Sequence, residues 1–405
     1  MTQNQRLQLI LALYIPSILI SIAYTLLTPI LPIFAGELTS VYSIIGFILA
    51  AESLGRVFGD LPASWFIRRI GMKRTMMLGI GLSLLPMLVL FVVHTIWLMI
   101  VLLLVVGFGH ALYNIARHAY ITVIIRKASR GRAIGLLGGV HRMGNFIGPL
   151  LGGFIGGTLG LRYGFIGFGI ISLITFFFVW RFMEHVDAHD VQRNETAQHI
   201  LIAQLIRDQK AVFATAGMGQ ILVQLTREGW RVLIPLYAAN VLNLDVQTIG
   251  YIIGAGSAMD MLVFYISGVV MDRFGRKWSI VPPFILQGIG TALILLTHSA
   301  MPLALVSAFI GLANGLSSGT MMTIGSDFSP PEFRGEFLSL WRLIGDTGHV
   351  GAPIIIGAVA QVLVLQMSVL AVAGSGFGAA LLFAFLVPET LKRKSVKLKT
   401  SSSVR

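Results

Sequence analysis

Apolar stretches of about 20 residues, the length that crosses a hydrocarbon core as a helix, recur from one end of this 405-residue chain to the other. No other feature narrows the fold as far. In lipid every backbone N–H and C=O must be paired within the chain, and helices are the form in which such runs achieve it. The pattern predicts twelve spans, at residues 8–34, 41–64, 75–94, 96–118, 133–156, 163–182, 210–238, 247–270, 279–298, 302–324, 336–360 and 366–388. Composition agrees: 56 % of residues are hydrophobic and only 12 % charged, where soluble proteins carry roughly a quarter. With a mean hydropathy of +0.84, a disordered chain is excluded, and no interval remains for a sizeable soluble domain.

The net charge of +13 is explained by where the basic residues sit. If the amino terminus is cytoplasmic, 23 of the 30 Lys and Arg fall in inward loops or the tail, and the outward loops hold only Arg162. That bias is the positive-inside signature, not a nucleic-acid surface. It predicts a multi-pass protein of a bacterial inner (plasma) membrane with both termini cytoplasmic. The first span is too long for a cleaved leader. Absence of cysteine excludes disulfides and thiolate sites. The Asn194-Glu195-Thr196 sequon falls in an inward loop and reads as a chance match. No acid-rich metal-binding run and no His pair at four-residue spacing within a span marks an enzyme, and neither terminus has room for a signalling domain.

The longest polar interval, from Glu184 to about Lys210, divides the spans six and six. The expected organisation is an amino-terminal six-helix bundle at 1–183, a cytoplasmic loop at 184–209, a second bundle at 210–391 and a basic cytoplasmic tail at 392–405. The halves repeat at an offset of 204 residues. Arg69, Gly71 and Lys73 map onto Arg273, Gly275 and Lys277; Arg130-Gly131 maps onto Arg334-Gly335; Gly144, Pro149 and Gly153 map onto Gly348, Pro353 and Gly357. Parallel repeats of this kind place a substrate between the halves near the midplane.

Gly268-Val-Val-Met-Asp272-Arg273-Phe-Gly275-Arg276-Lys277, between the eighth and ninth spans, resembles the loop signature of the major facilitator superfamily. In its first copy Ser64 stands for the glycine and Arg68 for the acid, with Asp60 nearby. Gly144, Gly148, Pro149, Gly152 and Gly153 in span five resemble the superfamily's antiporter motif, and Thr28, Pro29 and Pro32 with Pro388-Glu389-Thr390 also fit family patterns. The resemblance implies an all-α membrane protein of twelve helices in two pseudosymmetric bundles. It further implies a monomeric, cofactor-free transporter working by alternating access, whose partners are protons, a small-molecule substrate and the lipid bilayer. The antiporter motif points to proton-coupled efflux of a drug-like compound or metabolite; the alternative is a proton-coupled importer or exporter of an anionic metabolite such as an organic acid. Asp272 with Arg273 and Arg276 is expected to form a cytoplasmic latch, flanked by Gly275 and Lys277.

Charges inside spans carry the most information, because each costs at least about 2.5 kcal/mol at the bilayer centre unless paired or hydrated. Five acids qualify: Glu52, Asp60, Glu228, Asp260 and Asp346. At 1.5 Å per residue, Arg56, Arg142, Asp260 and Asp346 lie roughly 15–18 Å deep, near the midplane. The 204-residue offset makes Arg56 the counterpart of Asp260 and Arg142 the counterpart of Asp346. Since the family fold implies that span two meets span eleven and span five meets span eight, two cross-bundle pairs are expected, Arg56–Asp346 and Arg142–Asp260. Asp260 and Asp346 are then the leading proton carriers, while Glu52 satisfies Arg56 one turn away. In span seven Glu228 and Arg231 form a helical pair, leaving Arg227 for an anionic substrate group. Tyr24, Asn114 and Asn314 complete the cavity candidates, with His110, His141, Asn145 and His349 as weaker ones.

Overall fold

A computed structural model of the chain describes residues 9–125, 130–184 and 205–391. The basic residues at 126–127, most of the 184–209 loop with its sequon, the 392–405 tail, and the side chains of Arg130 and Arg132 lie outside that description. Among the described residues there are twelve long helices: α1 (Ile10–Leu38), α2 (Tyr42–Ile70), α3 (Met72–Leu90), α4 (Ile96–Ile124), α5 (Arg130–Thr158), α6 (Tyr163–Phe182), α7 (Met218–Asn240), α8 (Val246–Arg273), α9 (Lys277–Leu296), α10 (Ala300–Phe328), α11 (Pro331–Val362) and α12 (Leu365–Leu386). Nine of these are long and apolar enough to cross a membrane by composition. The other three, α2, α5 and α7, carry Glu52, Arg56 and Asp60, then Arg142, then Arg227, Glu228 and Arg231.

The outside of the bundle is apolar and the inside is where polar groups collect. Leu61, Tyr265 and Phe385 are 73 %, 74 % and 81 % exposed, while Gln287, Thr291 and Ser307 are fully buried. An apolar envelope of this extent is a surface made for lipid.

Helix boundaries follow the repeat. Adding 204 to the ends of α4 gives those of α10, and the start of α2 maps onto that of α8. Gly71 after α2 and Gly275 after α8 both have positive φ, +84° and +117°, a conformation that favours glycine. Pro149 and Pro353 occupy equivalent places inside α5 and α11. Two long helices turn near the middle of their path: α1 at Thr28-Pro29, and α10 at Ser317–Gly319 with Gly319 at φ +74°.

The bundles meet along α2 against α11 and α5 against α8. A Cβ on Gly46 would lie 3.1 Å from the Gly357 Cα, and one on Gly250 2.8 Å from the Gly153 Cα. These two crossings are related by the repeat, since 46 and 153 plus 204 give 250 and 357. Both lie at the end of the molecule far from the basic α2–α3 and α8–α9 loops. There a single apolar core, including Ile45, Ile48, Ile249, Ile252 and Ile356, joins the bundles. At the basic end the cores are separate, one around Met76 and Tyr120 and the other around Phe284 and Phe337.

The antiporter-motif glycines have a packing role. A Cβ on Gly144 would run into Ser21, one on Gly148 into Thr25, and one on Gly152 into the Leu26 backbone, so three of them seat α5 on α1. Gly153 faces the other bundle, and the Pro149 carbonyl stands 2.6 Å from a Cβ placed on Gly250.

Candidate functional site

Two cavities occupy the space between the bundles. The smaller, about 170 Å³, lies toward the closed end and is lined by Leu49, Glu52, Asn145, Glu228 and Arg231. The larger, about 470 Å³, lies toward the basic end and is lined by Asn114, Arg117, Arg227, Trp341, Arg342 and Asp346. Tyr24, Arg56, His110 and His141 border both, which makes them one central space with two compartments.

Arg142 of α5 and Asp260 of α8 come together across the bundle interface, with Nε 3.1 Å from Oδ2 and the side chains 18 % and 10 % exposed. Asn314 Nδ2 donates to the other Asp260 oxygen at 2.9 Å, and the Arg142 guanidinium donates to Ser318 Oγ and covers the Phe264 ring at 4.7 Å. Arg227 Nη2 donates to the Ser317 carbonyl and hydroxyl, each at 2.9 Å. The interruption in α10 therefore serves as the docking point for two buried arginines: unwinding frees the Ser317 carbonyl for Arg227, and Ser318 offers its hydroxyl to Arg142. Asn314 is a partner of Asp260 and lines neither cavity.

Arg56 and Asp346 are arranged differently from the expected ion pair. Arg56 Nε lies 4.0 Å from Glu52 of its own helix and Nη2 donates to Ser53 Oγ at 2.6 Å. Arg342, one turn before Asp346, lies 4.0 Å from it and 3.8 Å from Asp60 of α2. The α2–α11 bridge is thus Arg342–Asp60, with the arginine on the carboxyl-terminal half, and Arg56 remains within the electrostatic reach of Asp346. Side chains one helical turn away captured both groups first.

Two carboxylate–histidine contacts border the central space, with Glu52, His110 and Glu228 lining the smaller compartment and His349 the larger. Glu52 meets His110 Nδ1 at 3.5 Å, and Tyr24 stacks on that ring at 3.8 Å while donating to Ser83 at 2.7 Å. Glu228 meets His349 Nδ1 at 3.3 Å. The sequence signal for these was faint, since each histidine lies on a different helix from its acid. Arg117 also escaped the list of candidates; the available signal was an intramembrane arginine with no acid three or four residues away.

At the basic end, Arg276 is the centre of the latch. Its guanidinium reaches Asp272 at 3.1 Å, Asp327 of α10 at 3.1 Å and the Met271 carbonyl at 2.7 Å. The backbone N–H groups of Arg276 and Lys277 donate to Glu389 at 2.9 and 3.0 Å, and Gly275 is required because a Cβ would sit 2.6 Å from that carboxylate. Lys277 Nζ caps the Ala384 carbonyl at 2.8 Å. Arg273 is exposed and, among the described residues, has no ion pair; the second basic member of the latch is Lys277 instead. All these groups belong to the carboxyl-terminal bundle, so the latch ties α8, α9, α10 and α12 together. Partial burial pushes the Glu389 carboxyl up, but the N–H groups of Leu391, Lys277, Arg276 and Thr390 outweigh it and hold its pKa below the usual 4.5.

The sequence matches the family model described as Major Facilitator Superfamily over residues 13–259 and 216–403. An MFS-type transporter of Methanocaldococcus jannaschii is 20 % identical over 347 residues, 83 % of this chain and 87 % of the relative. Multidrug resistance protein 2 of Bacillus subtilis is 22 % identical over 292 residues, 71 % of this chain and 73 % of the relative. Among solved structures, a bacterial homologue of the human lysosomal transporter Spinster, in an inward-facing and occupied conformation, superimposes with a TM-score of 0.78 at 14 % identity, over 95 % of this chain and 97 % of the other. With twelve helices in two bundles around a central cavity, and with matches to the family model that run through both halves, the chain belongs to the Major Facilitator Superfamily of membrane transporters.

Proposed function

We propose that this transporter exports a small organic molecule from the cytoplasm in exchange for protons, by alternating access, as a monomer in a bacterial inner membrane with both termini inside. The observation that carries the reading is the Arg142–Asp260 contact, a buried ion pair joining the two bundles beside the cavity. A proton on Asp260 cancels its charge, leaving Arg142 to Ser318 and Gly138 alone and weakening the hold between α5 and α8. Protonation thereby shifts the balance between cavity openings, which is what coupling requires. Asp346, held with Asp60 by a loose arginine bridge, is the second carrier. Tyr24, Asn114, Arg227 and Glu228 contact substrate, and the Arg276 latch keeps the basic end of one bundle rigid as the halves rock.

With the basic loops inside, the separate cores at that end correspond to a cavity facing the cytoplasm, where an exporter loads. The antiporter motif and the name of the Bacillus subtilis relative support export over import.

Everted vesicles carrying the purified chain, acidified inside, provide the test. Substrate accumulation from a resistance or metabolite panel should follow the imposed pH gradient, and Asp260→Asn should reduce it to background while leaving gradient-independent exchange. Accumulation that ignores the gradient, or an Asp260→Asn chain as active as the parent, would sink proton coupling through this pair.

A further inference from the structure

The arginines around the central space are unequal in one respect. Arg56 has Glu52, Arg342 has Asp60 and Asp346, and Arg231 acts on Glu228 one turn before it. Arg227, although not in an ion pair, feels Asp260 and is hydrogen-bonded to Ser317. Arg117 of α4 has no carboxylate at all among the described residues. Its guanidinium lies 5.5 Å from the centre of the Tyr113 ring on its own helix, and its Nε is fully buried without a hydrogen-bond partner. The charged group nearest to it in effect is positive: Arg342 of α11, on the opposite bundle. His118, the next residue, is exposed to the same cavity and feels both arginines.

A lone guanidinium inside a membrane protein is costly, and one that also faces a second arginine is more so. Such a group is tolerated where an anion arrives to neutralise it. Arginine suits that task, because its planar fork matches a carboxylate or phosphate with two parallel hydrogen bonds.

We propose that the larger compartment binds a small organic anion, with its carboxylate or phosphate held between Arg117 of α4 and Arg342 of α11 and its carbon skeleton extending along Met321 and Trp341. This names the substrate class of the transporter reading and rests on it. Because the two arginines belong to different bundles, an anion held by both adds an attraction between α4 and α11, and loading favours approach of the bundles at the basic end.

The test is equilibrium binding to the purified full chain in lipid nanodiscs, without any gradient, so that a failure of proton coupling in vesicles leaves this result standing and the converse. Probes are matched in size: benzoate, citrate and phenyl phosphate against benzamide, benzyl alcohol and benzylammonium, read by thermal shift and tryptophan fluorescence. At least one anion should bind saturably at or below about 1 mM, with carboxylate and phosphate members separating the two head groups, and the neutral and cationic probes should not compete. Arg117→Gln should weaken that binding at least about tenfold, the loss expected for a charge-assisted pair of hydrogen bonds, while raising the ligand-free melting temperature by removing an uncompensated charge. Arg117→Lys should keep part of the affinity. Neutral analogues binding as well as the anions, no saturable anion binding, or an Arg117→Gln chain with parental affinity would each overturn the proposal. If Arg117→Gln does not yield monodisperse protein, competition between the matched probes on the parent chain decides.

Discussion

At the residue scale, the burial of a charge decides what its removal does. Asp260 is 7 % exposed, pairs with Arg142 and accepts a hydrogen bond from Asn314, so Asp260→Ala leaves a buried arginine uncompensated, a loss of about 3–5 kcal/mol. Thermal unfolding in detergent should register it, and the exchange Arg142→Asp with Asp260→Arg should recover part of the difference; a swap no better than either single change would refute the direct contact. Exposed charges act more gently. Asp245 caps α8, accepting from Thr248 N at 2.9 Å and Thr248 Oγ1 at 2.6 Å, and Asp245→Ala should lower stability by about 1 kcal/mol. Glu389 gives a pH signature. Its folded pKa lies below the usual 4.5, so its contribution is complete above that value and is lost as pH falls through the lower folded value. The melting temperature of the parent should therefore drop through this acid range more steeply than that of Glu389→Gln.

Elements here are placed by what they lack as much as by what they carry. The Gly46–Gly357 and Gly153–Gly250 crossings bring backbones within van der Waals reach, and close approach of this kind is how helices associate where lipid removes the usual hydrophobic drive. A side chain at either crossing must push a whole helix aside. Gly250→Leu should therefore open the far end, and the absence of native cysteine gives a clean readout. A single cysteine at Leu49, which lines the smaller compartment, should react with an impermeant maleimide from that side faster in the Gly250→Leu chain than in the parent; equal rates would show that these crossings do not close that end. The sequence matched Gly153 with Gly357 in the repeat, and gave Gly153 as part of a motif. It did not show which neighbour each one meets, because a glycine carries no side chain whose chemistry names a partner.

For the whole molecule, twelve spans, their boundaries to within eight residues and the division into two pseudosymmetric halves follow from hydropathy and the 204-residue offset, since a bilayer imposes length and the repeat relates each helix to its counterpart. The offset, joined to the contact of span five with span eight that the family resemblance implies, brought Arg142 to Asp260. It went astray for Arg56 and Asp346, where the backbone positions agree with the repeat but the long side chains bend to Glu52, Ser53 and Arg342 within their own helices or one turn away. The interruption of α10, the meeting of Glu52 with His110 and of Glu228 with His349, and the isolation of Arg117 are likewise tertiary facts. Sequence by itself determined the solvent, the number of helices and the faces that carry charge, all of them one-dimensional consequences of hydropathy and period. Only the packed structure decided which charges neutralise one another and which is left facing the cavity alone, because ion pairing depends on side-chain reach over a few ångströms between helices distant in the chain.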